Sequence, residues 1–212
     1  LQEVVDDGVR KGYQFDKNPL RASIVLDPVG SRKNSGDNTP ALLTVDLIPG
    51  NTVSVYVSAK GGGSENKAKF AVLNPSDSVA DWVVETVEKL GAGWCPPGIL
   101  GIGVGGSSDR AMAMAKKALN DPLDMQALLK NGPKNKSEEL RIEIYERVNA
   151  LGIGAQGLGG VTTVLDVKLK SFPTHAASLP VGLIPNCAAT RHLHFTLDGT
   201  GVPKFETPDL DA

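Results

Sequence analysis

The sequence is poor in cysteine and in aromatic residues. Its 212 residues include two cysteines, Cys95 and Cys187, and aromatic residues make up 5% of the chain. Two distant cysteines without a Cys-x-x-Cys pair exclude the disulfide-rich secreted scaffolds and predict reduced thiols in a cytosolic protein. With so few aromatic side chains, the hydrophobic core must be built from aliphatic residues.

A strong charge of either sign is also missing. The formal net charge is −2, while charged residues make up 22% and hydrophobic residues 41% of the chain. This balance excludes intrinsic disorder, collagen-like repeats and coiled coils. Neither half carries the basic patch that phosphate-rich surfaces require, so we expect neither a nucleic acid nor a membrane as a partner.

Long apolar runs and a leader segment are absent from the sequence as it stands. No run approaches the ~20 residues of a membrane-spanning helix, and the first residues lack the charged and apolar regions of a signal peptide. The chain begins with Leu1 rather than Met. We therefore expect that it is truncated at its N-terminus and that its first helix continues one that starts upstream.

Hydrophobic spacing predicts helices and strands without a regular β-α-β order, which favours an α+β domain with mixed sheets and packed helices. Val4, Val5 and Val9 share one face of a first helix that ends near Gly12, and a polar loop follows over 18–40. Residues 41–48 and 53–59 are predicted to pair as a hairpin. Helices are further predicted up to about Leu90 after a cap at Ser76 or Asp77, over 111–119 and over 137–150, and strands over 99–104, 162–169, 181–185 and 192–197.

Glycine is abundant, with 24 residues, and two glycine-rich segments could contact an anion. Gly101, Gly103 and Gly106 have the Gly-x-Gly-x-x-Gly spacing of dinucleotide-binding turns, although no clean β-α-β unit follows. The alternatives at this segment are anion binding by N–H groups at Ser107 and Ser108, or a plain turn from strand to helix. The segment KGGGS at 60–64 is either a flexible loop or a set of N–H and ammonium donors to a carboxylate or phosphate.

Both cysteines lie on stiff backbone. Cys95 precedes Pro96 and Pro97, and Cys187 ends an apolar strand. This stiffness suits a ligand role, because a thiolate that binds a metal or cluster must be held at a fixed distance and angle. The alternative is that each cysteine is a buried structural thiol. His192 and His194 have a zinc-compatible spacing without an evident third ligand, and are interpreted as ordinary strand residues.

Six segments, taken in order, resemble those of the iron–sulfur hydro-lyases. They are KGGGSENK at 60–67, CPP at 95–97, GGSS at 105–108, GAQGLGG at 154–160, THAASLPVG at 174–182 and NCAATR at 186–191. The chain resembles the N-terminal domain or α subunit of class I fumarate hydratase, with the tartrate dehydratase α subunit a close relative. The resemblance covers almost the whole chain.

The resemblance implies a 4Fe-4S cluster held by three cysteines, with the fourth iron left to bind the substrate. Cys95 and Cys187 match two of these ligands, and the third would precede Leu1 together with an acid–base aspartate. Arg21 matches an arginine that binds a substrate carboxylate, Gly63 a backbone donor to substrate, and His175 a catalytic histidine that contacts substrate.

The resemblance also implies an organisation and an activity. Residues 1–200 would form the Fe-S hydro-lyase α-type catalytic domain, and 201–212 a linker towards an absent C-terminal swivelling domain or β subunit. The expected activity is the reversible hydration of fumarate to L-malate in the cytoplasm, as a lyase of the tricarboxylic acid cycle. We expect a homodimer, and an isolated fragment that is inactive and that can lack its cluster. Dehydration of L-tartrate to oxaloacetate is the alternative within the family, and a non-catalytic anion- or nucleotide-binding module is the alternative outside it.

Overall fold

The computed structural model describes residues 1–205, and these fall into two compact units, Leu1–Asn51 and the described residues from Thr52 onward. The predicted linker over 201–212 lies mostly outside the described residues, which end at 205. The helices are α1 Gln2–Tyr13, α2 Gly62–Glu65, α3 Val79–Leu90, α4 Ser108–Ala118, α5 Met125–Asn131 and α6 Lys136–Ala150. The strands are β1 Val53–Ala59, β2 Lys69–Leu73, β3 Gly98–Gly105, β4 Val164–Phe172, β5 Leu179–Cys187, β6 Arg191–Leu197 and β7 Lys204–Phe205. Helices and mixed sheets confirm the α+β class. Within residues 1–205, no helix combines the length and the apolar character needed to cross a bilayer.

In the first unit, α1 is followed by loops that side-chain hydrogen bonds hold in place. The Arg10 guanidinium lies 2.9 Å from the Asp37 carboxylate. Hydrogen bonds from Thr39 lower the pKa of Asp37 to about 2, and Arg10 adds to the lowering. These contacts tie the polar loop back to the helix.

The predicted hairpin of 41–48 with 53–59 is wrong. Residues 41–48, all of them described, contain no strand. At the start of this segment the Ala41 N–H donates to Asp6 and its carbonyl accepts from Gln2, so α1 occupies the backbone groups that a strand partner would need. β1 pairs instead with β6, far along the chain, and β7 extends this three-stranded sheet.

The second unit is centred on a four-stranded sheet of order β2-β5-β3-β4, in which only β3 and β4 are parallel. Leu100 and Ile102 of β3 point to one face, where α3, α5 and α6 supply Val83, Met125 and Ile144. On the other face α4 packs directly on β3. The core is mainly aliphatic, as the composition predicted, and among the described residues Trp94 is its fully buried aromatic side chain.

The glycines of the dinucleotide-like spacing do not share one turn. Gly101 and Gly103 lie inside β3, where an added Cβ would come 2.2 Å from the Ala115 carbonyl oxygen and 2.0 Å from that of Ala111. These two glycines therefore allow α4 to approach the sheet. Only Gly105 and Gly106, both with positive φ, form the turn into α4.

The predicted helices and strands after residue 75 form within a few residues of their expected ends. The cap of α3 is Ser78 rather than Ser76 or Asp77, and its hydroxyl accepts from the Asp81 N–H at 3.1 Å. The segment 91–98 contains a 3₁₀ turn over Gly91–Trp94, and its last residue, Gly98, is the first residue of β3.

Candidate functional site

Cys95 sits on a short, strongly constrained loop. The 3₁₀ turn ends in Trp94, which is fully buried, and the Cys95 N–H donates to the Ala92 carbonyl at 3.0 Å. Cys95 has φ 59° and ψ 56°, the left-handed region that non-glycine residues rarely adopt. Its thiol is free and exposed. The buried Trp94 side chain therefore anchors the loop, while the neighbouring Cys95 is exposed to solvent.

Cys187 ends β5 beside the glycine-rich segment. It is free and partly buried, and in the sheet it is the partner of Gly98, the first residue of β3. The Thr190 N–H donates to the Cys187 carbonyl at 3.2 Å, which closes a turn after the strand. An added Cβ on Gly61 would lie 3.6 Å from the Cys187 sulfur, so the glycine-rich segment adjoins this thiol.

The two cysteine loops are joined directly. The Ala188 N–H, next to Cys187, donates to the carbonyl of Pro97 at 3.1 Å. Pro97 is two residues after Cys95, so both thiols lie where β3 begins and β5 ends. These strand ends form one edge of the four-stranded sheet. Cys95 and Cys187 are thus free thiols on adjoining loops. Among residues 1–205, no three His, Cys, Asp or Glu side chains form a metal-binding group.

The segment around Gly63 borders the same edge. It forms the short helix α2 rather than a flexible loop, and the position where Gly63 would carry a Cβ faces open space. Lys116 and Glu65 form an ion pair of 2.7 Å next to it. Burial lowers the pKa of Lys60, the nearby Lys116 charge lowers it further, and Glu65 opposes both effects.

His175 lies at the opposite edge of the sheet. It follows β4 and precedes β5, and the neighbouring Thr174 hydroxyl donates to the Gly106 carbonyl at the far end of β3. β5 has nine residues, which at about 3.3 Å per residue separates its two ends by roughly 25 Å. Within one chain, His175 is therefore not brought together with Cys95 and Cys187.

Arg21 belongs to the first unit, where it is exposed on the loop after α1. The side chains of Asn34 and Asn38 hold this loop by hydrogen bonds to the Ala22 carbonyl and the Ser23 N–H. These hydrogen bonds fix the backbone next to Arg21.

His194 is occupied within the three-stranded sheet. Its ring stacks on Tyr56 with 4.0 Å between ring centroids, and its Nε2 lies 2.7 Å from the Ser54 hydroxyl. His192 pairs in register with Ser58. These contacts agree with their interpretation as strand residues.

One residue of the site was not singled out from the sequence. Gln156 makes two hydrogen bonds to the Pro96 carbonyl, from its own N–H at 2.7 Å and from Nε2 at 3.1 Å. Its glycine-rich surroundings at 154–160 were the only signal, and they give no indication of which loop Gln156 contacts.

Comparison with known proteins agrees with the motifs. The family described as Fumarate hydratase (Fumerase) matches residues 1–196. A Methanocaldococcus jannaschii protein, provisionally named L(+)-tartrate dehydratase subunit alpha, is 37% identical over 198 residues, which are 89% of this chain and 66% of the relative. The L(+)-tartrate dehydratase subunit alpha of Escherichia coli K12 is 33% identical over 199 residues, covering 90% of this chain and 62% of the relative.

The chain thus spans slightly less than two thirds of the length of these relatives. The family match nevertheless covers both cysteine loops, the GAQGLGG segment and the His175 loop in a single alignment. The chain therefore belongs to the fumarate hydratase (Fumerase) family, a family of hydro-lyases.

Proposed function

We propose that this chain is the cluster-binding part of a 4Fe-4S hydro-lyase that catalyses the reversible hydration of fumarate to L-malate. The observation that carries the proposal is the hydrogen bond from the Ala188 N–H to the Pro97 carbonyl, because it joins the two thiol-bearing loops at one edge of the sheet. The family membership supports the reaction class.

Cys95 and Cys187 would hold two of the irons, with a third thiolate from a cysteine outside these 212 residues. When bound, such a cluster supplies an iron with an open coordination position that withdraws electron density from a substrate carboxylate and hydroxyl. The chain's own task is to hold both thiolates at fixed positions. The braced turn at Cys95 and the end of β5 at Cys187 suit this task.

The remaining site residues would bind the substrate. Fumarate and malate are dianions, so recognition calls for a guanidinium and for N–H donors. In this proposal the Arg21 guanidinium pairs with one carboxylate and the Gly63 N–H donates to substrate in the open space beside α2. His175 would contact substrate as the catalytic histidine, and its position at the far edge requires that it come from another copy.

The complete enzyme would include more than this chain. We propose residues 1–200 as the α-type catalytic domain and 201–212 as the link to a C-terminal swivelling domain or a β subunit, with 206–212 outside the described residues. In this proposal the enzyme is a homodimer that works in the cytoplasm and in the tricarboxylic acid cycle. The chain alone is expected to be inactive, because part of the substrate site would come from the second domain or subunit.

The proposal is tested on the complete protein, assembled anaerobically with iron and sulfide. Wild-type protein should contain a 4Fe-4S cluster and dehydrate L-malate, whereas Cys187→Ser should lower iron content at least about tenfold because a ligand is lost. Ser76→Ala, in an exposed loop, is the control and should retain both properties. High malate dehydration by the Cys187→Ser protein would rule the proposal out.

Dehydration of L-tartrate is a second candidate, because the relatives described above are named tartrate dehydratase α subunits. The ratio of kcat/KM for L-malate to that for L-tartrate, measured on the same preparation, separates the two. A ratio above one supports the fumarate hydratase assignment and a ratio below one supports tartrate dehydratase. Failure to take up iron, together with binding of ATP or NAD, would favour a non-catalytic nucleotide-binding module.

A further inference from the structure

The loop that carries Cys95 depends on its carbonyl groups for anchoring. Cys95 has a left-handed backbone, a conformation that is unfavourable for a non-glycine residue and persists only where its surroundings hold it. Pro96 and Pro97 lack an N–H, so only their carbonyl oxygens can take part in backbone hydrogen bonds. Both are used, the Pro97 oxygen by Ala188 and the Pro96 oxygen by Gln156.

Gln156 contacts Pro96 through both its backbone and its side chain. Its N–H and its Nε2 donate to the same carbonyl oxygen at 2.7 and 3.1 Å. Gln156 itself has φ 54°, so the residue that donates to Pro96 also lies in the left-handed region, as does Cys95, the neighbour of Pro96 in the chain. The loop is packed tightly here, because an added Cβ on Gly157 would come 2.5 Å from the Ala92 side chain.

The base of the Gln156 loop is rigid. The Gly154 N–H donates to the Thr163 hydroxyl at 3.0 Å, and the Thr163 N–H donates to the Asn149 side chain at 2.7 Å. Thr163 is fully buried, and Asn149 also accepts from the Val164 N–H at the start of β4. Gln156 is therefore tied through this chain of bonds to α6 and the sheet, although its own side chain is exposed.

We propose that Gln156 is a positioning residue for the Cys95 ligand. By holding the Pro96 carbonyl, it keeps Cys95 in the left-handed turn that directs the thiolate towards the cluster. This inference rests on the proposed function for the role of the thiolate, while the anchoring of the loop rests on geometry alone. It assigns to the GAQGLGG segment a task at the cluster site.

The test compares Gln156→Ala and Gln156→Glu with Gln126→Ala in the complete protein. Alanine removes the side-chain donor and keeps the backbone donor, and glutamate keeps the side-chain shape while it replaces the donor by a carboxylate. Gln126 is an exposed glutamine on α5 and serves as the matched control. Two readouts are taken: hydrogen exchange of the Cys95 amide in iron-free protein, and the rate of iron loss from reconstituted protein in air.

Both Gln156 variants should increase the exchange of the Cys95 amide and the rate of iron loss by about threefold to tenfold, the effect of one neutral hydrogen bond. Their Tm should stay within about 2 °C of wild type, because the side chain is exposed and a general loss of stability is not expected. The Gln126→Ala protein should match wild type in all three measurements.

Unchanged exchange of the Cys95 amide, or faster exchange without faster iron loss, would overturn the positioning role. A large fall in Tm with parallel changes throughout the protein would show a merely structural role and would overturn it as well. If wild-type protein binds no iron at all, the proposed function fails, whereas the exchange data still decide whether Gln156 anchors the Cys95 loop.

Discussion

At the scale of single residues, a group of buried charged side chains lies beside the core. Asp166 is fully buried, and its carboxylate accepts from the N–H groups of Asp124 and Met125 at 2.8 and 3.0 Å. The ammonium of Lys168, itself almost fully buried, lies 2.9 Å from the same carboxylate, and Arg141 lies 3.3 Å away. The group thereby fastens the start of α5 to β4.

Neutralising Asp166 should destabilise the protein strongly. Asp166→Asn leaves the Lys168 ammonium buried with less compensation, for which we expect a loss of about 3–5 kcal/mol in the free energy of unfolding. Asp81→Asn is the control, since its ion pair with Arg147 is exposed on both sides and its loss should change the free energy of unfolding much less. Urea unfolding of the two proteins measures both values. Equal losses in the free energy of unfolding would show that burial of the ion pair does not determine the effect of the substitution.

At the scale of elements, close contact between β3 and α4 determines how the second unit packs. Gly103 has no room for a side chain, because an added Cβ would come 2.0 Å from the Ala111 carbonyl and 2.8 Å from the Ala115 nitrogen. Both atoms belong to the α4 backbone, so the helix would have to move as a body. Hydrophobic periodicity predicted the strand and the helix separately, but it contains no measure of the distance between them.

Gly103→Ala should therefore lower the free energy of unfolding by about 1–3 kcal/mol through overpacking. The same change at Gly8 in α1, where nothing lies within 4 Å of the added Cβ, should be neutral or stabilising by up to about 1 kcal/mol, because alanine favours the helix. Denaturation curves recorded side by side give both values. A loss at Gly8 as large as that at Gly103 would mean that steric contact is not the cause.

At the scale of the whole molecule, the position of His175 bears on the proposed dimer. His175 and the two cysteines lie at opposite ends of β5, so one copy cannot bring them into the same small site. If all three residues act on one substrate, each site must combine the cysteines of one copy with the histidine of another. The symmetry of a two-fold dimer would supply two such sites.

Mixing two inactive variants tests this arrangement. His175→Ala and Cys187→Ser, unfolded or dissociated together and reassembled anaerobically, should recover about a quarter of wild-type malate dehydration, because half of the dimers are mixed and each has one intact site. Each variant reassembled alone is the control and should stay inactive. Mixed dimers without activity would place both residues in the same site of one copy or remove His175 from the reaction.

The sequence by itself determined most of the local elements, the mainly aliphatic core and the family, but it gave no prediction of β2 or α5. The 3.6- and 2-residue periods of hydrophobic side chains are local properties, so α1, α6 and β3 were predicted close to their observed ends. The motifs around Cys95 and Cys187 were likewise readable one at a time. Residues 41–48 show the limit, because they were predicted as a strand but form none, and the backbone of Ala41 is bound by side chains of α1 instead.

Only the tertiary structure decided which distant segments meet. Three contacts join residues far apart in the chain: the pairing of β1 with β6, the hydrogen bond from Ala188 to Pro97, and the hydrogen bonds from Gln156 to Pro96. Such contacts follow from strand register and from hydrogen-bonding groups that must find partners once buried or strained, and no local pattern encodes them. For the same reason the separation of His175 from the cysteines emerged only when β5 was seen to run the full length of the sheet between them.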